Sequence, residues 1–581
     1  MDPFEYLENL DDPRTKEFIE EESRRSSFLQ ERAKLHYQSI LTRLVEERPI
    51  ALVGIGKGLA ILVRSREGVH AEINGNVVRS EREQDIFNSL EKVWNSDLVR
   101  IGVGITGSDQ GYSLLVDEHG QVMRRVQGLV NQFFYLNGRL CYVKEYRTES
   151  SPDGVPPAVE RIFCEEEMLP FYPGRGEWIS VKAEGDNILL VRGIGWSKKV
   201  IYRNFEKMDE GDITSYDMNG GRVHYVKGNS LVRDGKELFT LDRPVLDMKV
   251  MDDGILTLEI RNYRTSLVKY SEEGRETWSY TRDHILSFDV VENEIYALET
   301  SFNKSYAIFK IKDGKVEVLK SGREEKLTVK EVYVQGDVLL HGFLLTKGGN
   351  RGVVVYGYGG FSIPLLPSYN PLFLELMDSG YSVLVTNLRG GFENGEEWHK
   401  AGMLRNKMNV FKDFSEFLQV VKMMGGRTIA MGGSNGGLLV GATLNLYTHL
   451  VDCGVIGYPV LDMLKFHRYL AGMYWVPEYG NPETDADFLQ SYSPYHNLKK
   501  GLPPTLVYTG LNDDRVHPMH ALKYVAKSRE LGNRVYLFVN RRAGHNLSRP
   551  EASAEEMSVI VSFVEQCHSL DSSFQNFTMK M

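Results

Sequence analysis

Two unlike architectures are predicted for this chain: an α/β domain on a mostly parallel, doubly wound sheet, and an all-β domain of short antiparallel strands. Three observations carry this. From 326 to 581, apolar runs of strand length alternate with helix-patterned segments, the signature of a sheet covered on both faces. From 48 to about 325, short alternating runs are separated by Asx-Gly pairs, which mark hairpins. At 581 residues the chain also exceeds what one hydrophobic core usually organises.

Residues 1–47 are charged and helix-patterned. Phe18, Ile19, Phe28, Leu29, Leu35, Ile40, Leu41 and Leu44 are spaced for one buried face. This segment is expected to be a packing arm on the α/β domain. In 48–325 the turn signals are Asn74-Gly75, Asn137-Gly138, Asn219-Gly220, Asp234-Gly235, Asp253-Gly254 and Asp313-Gly314; only Gln84 to Val93 offers a helical pattern. So many short meanders suit a propeller. A pair of sandwiches is the alternative. From 326 onward the expected strands are Gly352–Tyr356, Tyr381–Asn387, Thr428–Met431, Cys453–Tyr458, Thr505–Thr509 and Arg534–Val539. Helices are expected over Leu438–Tyr447, Phe411–Met424, His520–Leu531 and Ala552–Cys567.

The chemistry concentrates in Gly432-Gly433-Ser434-Asn435-Gly436. Its G-x-S-x-G frame follows a strand and opens a helix, the context of a nucleophile elbow. A serine is a weak nucleophile alone; an imidazole must take its proton, and a carboxylate must fix the tautomer of that imidazole. In an α/β-hydrolase these follow in the order Ser, Asp or Glu, His. Asp513 lies past the strand ending at Gly510, and His545 lies on the loop after the next strand. Order, spacing and context therefore nominate Ser434, Asp513 and His545. The oxyanion of an acyl transfer needs two donors, and the backbone N–H of Asn435 is one. At the place of the usual second donor the chain has Tyr356-Gly357-Tyr358-Gly359-Gly360; Tyr358 is a second donor or a packing residue.

These residues sit among longer motifs. Tyr356 to Phe361, Asn387-Leu388-Arg389-Gly390-Gly391, Glu397-Trp398-His399-Lys400, the elbow, Asp462 to His467, Tyr492-Ser493-Pro494, Asp513-Asp514-Arg515-Val516 and Ala543-Gly544-His545 together resemble the prolyl oligopeptidase family. The resemblance covers about 326 to the C-terminus. Asp2-Pro3-Phe4-Glu5-Tyr6-Leu7-Glu8 also resembles the start of that family's N-terminal arm; 48–325 carries no matching motif. The resemblance implies an α/β-hydrolase catalytic domain with a seven-bladed propeller, and a serine endopeptidase that cuts short peptides after proline. It makes the Tyr358 hydroxyl the second oxyanion donor. It assigns Trp475 to stacking on the proline ring, Phe361, Val516 and Tyr479 to the pocket wall, and Arg515 to a substrate carbonyl. Arg515 could equally pair with Asp513 or Asp514. Asp514 is expected to be structural. Trp398 and His399 receive no catalytic role, and His467, His496, His517 and His520 are expected to be core or surface histidines. Related serine oligopeptidases, acylaminoacyl-type peptidases or esterases with another preference before the scissile bond are the alternative, and a non-catalytic binding protein is a further one.

Composition sets outer bounds. A net charge of −10 disfavours nucleic acid as a partner. No apolar run reaches membrane-spanning length, and Met1–Lys16 is too polar for a secretory signal. Cys141, Cys164, Cys453 and Cys567 show no C-x-x-C spacing, and are expected as reduced thiols in a cytoplasmic, monomeric protein. No cofactor or metal is implied.

Overall fold

The computed structural model describes residues 1–570. Twenty-seven strands from Arg48 to Ser321 form seven blades, spanning 48–78, 85–127, 130–168, 178–212, 213–240, 245–282 and 284–321. Each blade is an antiparallel meander. The fourth and fifth share the strand Glu206–Asn219, whose first half pairs with Lys198–Arg203 and whose second half pairs with Arg222–Lys227. The ring closes where Arg48–Ile55 lies beside His284–Val291. There Gly54 N–H donates to Asp289 at 2.6 Å, and Leu52 shares a core with Leu298, Tyr306 and Ile308.

The hairpin signals are mostly where the sequence puts them. Asn74-Gly75, Asn137-Gly138, Asp234-Gly235 and Asp313-Gly314 all have positive φ at both residues, the I′ geometry that matches strand twist. Two turns sit one residue away from expectation: the chain reverses at Gly220-Gly221 and at Asp252-Asp253. Gln84–Val93 is not a helix but contains the strand Asp85–Lys92. A bulge between Phe87 and Ser89 breaks the two-residue alternation and mimics a helical spacing.

The α/β domain has an eight-stranded sheet. Its order is Thr328–Gln335, Leu339–Thr346, Tyr381–Asn387, Gly352–Tyr356, Thr428–Gly433, Cys453–Gly457, Thr505–Gly510 and Val535–Asn540. Leu339–Thr346 pairs antiparallel with both its neighbours, and the remaining pairs are parallel. All six expected strands are present within two residues. The antiparallel pair at one edge and the helix Pro371–Asp378 were not foreseen.

The arm is one 33-residue helix, Pro13–Val45, capped by Asp12, which accepts from Arg14 N–H. It crosses the sheet's last strand and touches both cores. Leu7 and Ile19 join one face, and Leu29, Ala33, Ile40 and Leu44 join the other. Ser26 Oγ accepts from Leu537 N–H and so occupies an edge group of the last strand. Lys523 Nζ is held by Asp2, Glu8 and Asp462 at 2.7–2.9 Å, which ties down the segment before the helix. Leu35, expected in the buried face, is 75% exposed. His36 takes the inward position instead, because Glu375 (2.8 Å) and Glu565 meet its two ring nitrogens.

The cysteines also depart from expectation: Cys141 is bonded to Cys164, and Cys453 to Cys567. Cys141 and Cys164 face each other across a ladder, and Cys567 ends the helix that covers the strand of Cys453. Separations of 23 and 114 residues leave no short-spacing signal.

Burial alone would lower the pKa of His36; the two carboxylates outweigh it and raise the value from 6.5 to about 9. A raised folded-state pKa gives stability that is complete below 6.5 and lost as pH rises through 9. Denaturant unfolding should show a loss on the order of 2–3 kcal/mol between pH 6.5 and 10 that is missing in His36→Leu. Parallel pH curves for the two proteins would exclude this role.

Candidate active site

Ser434 stands between the strand Thr428–Gly433 and the helix Asn435–Leu446, with φ 58° and ψ −118°. Few non-glycine residues adopt that conformation, and it lifts the side chain out of the turn. Close backbone approach makes it possible. A Cβ on Gly432 would lie 2.3 Å from Gly436 O, and one on Gly436 would lie 2.6 Å from Gly357 O. Ser434 N–H donates to Gly457 O at 2.8 Å, which fixes the turn against the neighbouring strand.

Asp513 lies just past the strand Thr505–Gly510 and is buried. Its Oδ1 accepts from the backbone N–H of Arg515 and Val516 at 3.0 and 2.9 Å. That leaves Oδ2 aimed at His545 Nδ1, at 2.9 Å. The imidazole is thereby oriented, and among the described residues Nε2 has no hydrogen-bond partner. Tyr458, next to Gly457, packs edge-on against His545 at 5.7 Å between centroids. Thus the elbow and the histidine loop share a neighbour. Among the described residues Ser434 Oγ has no hydrogen-bond partner within 3.5 Å, so the serine–histidine contact is open in this state, as is common before substrate binds.

Asn435 is the first residue of its helix, where N–H groups lack intrahelical acceptors. The hydroxyl of Tyr358 has no protein partner among the described residues, and burial with the nearby Glu478 charge holds its pKa well above the usual phenol value. It therefore stays a neutral donor. The Asn435 side chain is fully used: Nδ2 donates to Tyr358 O (2.8 Å), and Oδ1 accepts from Tyr479 Oη (2.7 Å) and Lys407 Nζ (3.2 Å).

The expected pocket residues converge. Phe361, Trp475, Tyr479 and Val516 belong to one apolar cluster. Phe361 meets Tyr479 edge-on at 5.4 Å, and Phe466 stacks on Trp475 at 6.3 Å. Phe361 has φ 57°, and its N–H donates to Glu478 at 2.7 Å. Glu478 also holds His399 Nε2 at 2.8 Å. Burial would lower the His399 pKa, but Glu396 and Glu478 raise it to about 9, so it is an imidazolium that props the pocket. His520 is the opposite case. Burial lowers its pKa to about 3, and its Nδ1 accepts from Leu461 and Asp462 N–H. His517 is likewise held neutral by burial, and His467 and His496 bond to Glu483 and Ser493.

Arg515 pairs with neither Asp513 nor Asp514 through its guanidinium. It makes a bidentate contact with Asp109, at 2.9 and 2.7 Å, from the second propeller blade. Asp514 accepts from Asp109 and Gln110 N–H, and Gly107 O accepts from Asn546 N–H. Burial acts upward on the Asp109 carboxyl, but Arg515 and Arg147 outweigh it and hold the group well below the usual carboxylate range. The turn of the fourth blade also reaches the site. Trp196 meets Phe361 edge-on at 4.8 Å, and Ser197 Oγ lies 3.0 Å from His399 Nδ1. Asp109, Trp196, Lys407 and Glu478 had no motif to announce them; only the fold brings them to the site. Chemically, the arrangement offers an oriented imidazole, a serine on a strained turn, two donors without a partner among the described residues and an aromatic pocket, under a propeller that touches the loops of Asp513 and His545.

Residues 367–571 match the profile of the prolyl oligopeptidase family. A prolyl endopeptidase from Elizabethkingia miricola is 36% identical over 283 residues, covering 44% of this chain and 40% of that protein. Prolyl oligopeptidase A from Amanita bisporigera is 30% identical over 415 residues, covering 62% of this chain and 54% of that protein. The aligned segment thus spans about half of each relative or less. Among solved structures, one from a study of two prolyl endopeptidases superposes with a TM-score of 0.86 at 21% identity, over 98% of this chain and 97% of the other, and establishes the fold.

A fluorophosphonate probe should label Ser434 at one site per chain, and Ser434→Ala should abolish labelling. Tyr358→Phe keeps the ring and removes one donor, so labelling should slow by roughly 10²–10³-fold. An unchanged rate in Tyr358→Phe would make Tyr358 a packing residue.

Proposed function

We propose that this chain, a member of the prolyl oligopeptidase family by its residues 367–571, is a serine endopeptidase that hydrolyses short peptides on the carboxyl side of proline. The observation that carries the reading is the Asp513–His545 contact near a strained Ser434, together with an aromatic cluster of Phe361, Trp475 and Tyr479. In this reading His545 Nε2 takes the Ser434 proton as Oγ attacks the carbonyl of the proline residue. The N–H of Asn435 and the hydroxyl of Tyr358 hold the oxyanion. The protonated imidazole gives its proton to the leaving amine, and water, activated by the same nitrogen, releases the acyl group. Asp513 keeps the imidazole in one tautomer throughout.

Trp475, Phe361, Tyr479 and Val516 suit an apolar, rigid proline ring. Glu478, the buried acid that meets the Phe361 backbone, is satisfied by His399 and Phe361 N–H, so it is not free to receive a basic side chain. That favours proline over a basic residue before the scissile bond. In this reading Arg515, held by Asp109, anchors a substrate carbonyl.

The propeller would exclude folded proteins, because blades two and four contact the site loops directly. Access then requires those contacts to part, a gating motion of the kind that often limits turnover.

Chromogenic peptides differing only before the scissile bond should show cleavage after proline far above all others. Trp475→Ala should reduce proline substrates roughly 2- to 10-fold more than it reduces a generic acylating agent, from the stacking contribution alone. Equal losses on both would mean that Trp475 supports the fold and does not recognise proline. A short proline peptide should be cleaved far faster than a long denatured chain containing the same sequence. Comparable rates would rule out the covered site while leaving the triad intact.

A further inference from the structure

Lys407 is a buried cation near the site that the reaction scheme leaves unused. It is 1% exposed, and among the described residues it has no carboxylate within ion-pairing distance. It opens the helix Lys407–Met423, where the aligned peptide dipoles disfavour a cation. An ammonium buried without an ionic partner is expensive. Burial lowers its pKa from 10.5 to about 8, with Glu478 acting in the other direction from a distance. Glu478 is itself committed to His399 and to Phe361 N–H.

What Lys407 does touch is informative. Its Nζ donates to Gly359 O at 3.0 Å and to Asn435 Oδ1 at 3.2 Å, and it lies over the Tyr479 ring at 5.5 Å. Gly359 follows Tyr358, and Asn435 carries the other candidate donor in its backbone. One ammonium therefore bridges the two segments that present the oxyanion donors. Gly359 has φ 71°, and a Cβ there would lie 2.3 Å from Val410 Cγ1, so the loop is confined on its far side as well. In the reading above, the oxyanion would form between these two donors, and only during reaction.

We propose that Lys407 is a positioning residue of the oxyanion hole: it ties the Tyr358–Gly360 loop to the Asn435 amide and sets a positive charge behind the place where the oxyanion develops. A charge fixed in advance in a dry site stabilises the transition state without reorganisation. The inference rests on the serine-hydrolase reading above but not on its proline preference.

The test uses the full chain and fluorophosphonate labelling of Ser434, resolved into probe affinity and the rate of bond formation. Lys407→Met, of similar length and neutral, should slow bond formation by roughly 10²–10³-fold with probe affinity within a few-fold of wild type. Lys407→Gln retains a donor without the charge and should fall between the two. Both variants should keep the wild-type circular dichroism. A folded Lys407→Met that labels at the wild-type rate overturns the proposal. So does a loss shared equally by affinity and rate, or the failure of both variants to fold, since Lys407 would then serve the fold and not the donors. A wild-type chain that does not label at all would instead overturn the hydrolase reading, and this inference with it.

Discussion

A serine held at φ 58° and ψ −118° costs on the order of 1–3 kcal/mol of backbone strain, and the rest of the site is arranged around keeping it there. The glycines at 432 and 436 are needed because the strand, the helix and the Gly357 backbone approach within distances that no Cβ tolerates. Ser434 N–H on Gly457 O binds the turn to the next strand, and the residue after Gly457 supports His545. The same turn puts Asn435 at a helix start with its N–H unsatisfied. One strained residue thus fixes the candidate nucleophile, a candidate oxyanion donor and a neighbour of the candidate base.

Around this centre, buried charge is used for placement. Glu478 with His399 fixes the backbone of Phe361 at its positive φ, and so shapes the pocket. Lys407 bridges Gly359 and Asn435. Asp109 with Arg515 and Arg147 joins the propeller to the acid loop. Partly or wholly buried ion pairs add little net stability, because desolvation offsets attraction, but their directional demands allow few alternative arrangements. The Asp109 cluster also spans the two domains, so the loops carrying Asp513 and His545 are braced from the propeller.

The arm is a different kind of device. Its helix covers the last strand of the sheet, contributes to the cores on both faces, and meets the α/β domain through His36, Arg43 and Arg529–Glu22. It closes an edge that would otherwise expose strand N–H groups. The bond from Cys453 to Cys567 ties the strand that receives Ser434 N–H to the final helix beneath that arm.

Much of this was legible in the chain because some signals are local. A G-x-S-x-G turn, an acid after a strand, a histidine after the next strand and Asn-Gly hairpins are short-range chemistry, and each was found within a residue or two. The pocket residues came through resemblance, since a tryptophan on its own does not say what it stacks on. Other features were illegible for physical reasons. A bulge made a strand at 85–92 imitate a helix, and His36 displaced Leu35 from the core only because two distant glutamates wait for it. Cys141 and Cys164 pair because their strands are in register, a fact that spacing cannot encode. Asp109 on Arg515, Trp196 on Phe361 and Lys407 on Asn435 join residues hundreds or tens of positions apart. The two architectures, the elbow and the order of the candidate triad are legible in the chain, because backbone propensity and turn chemistry act over a few residues. Only the tertiary structure decided which charges are buried together, which sulfurs meet and what the propeller holds, because those depend on surfaces that exist only once the chain has folded.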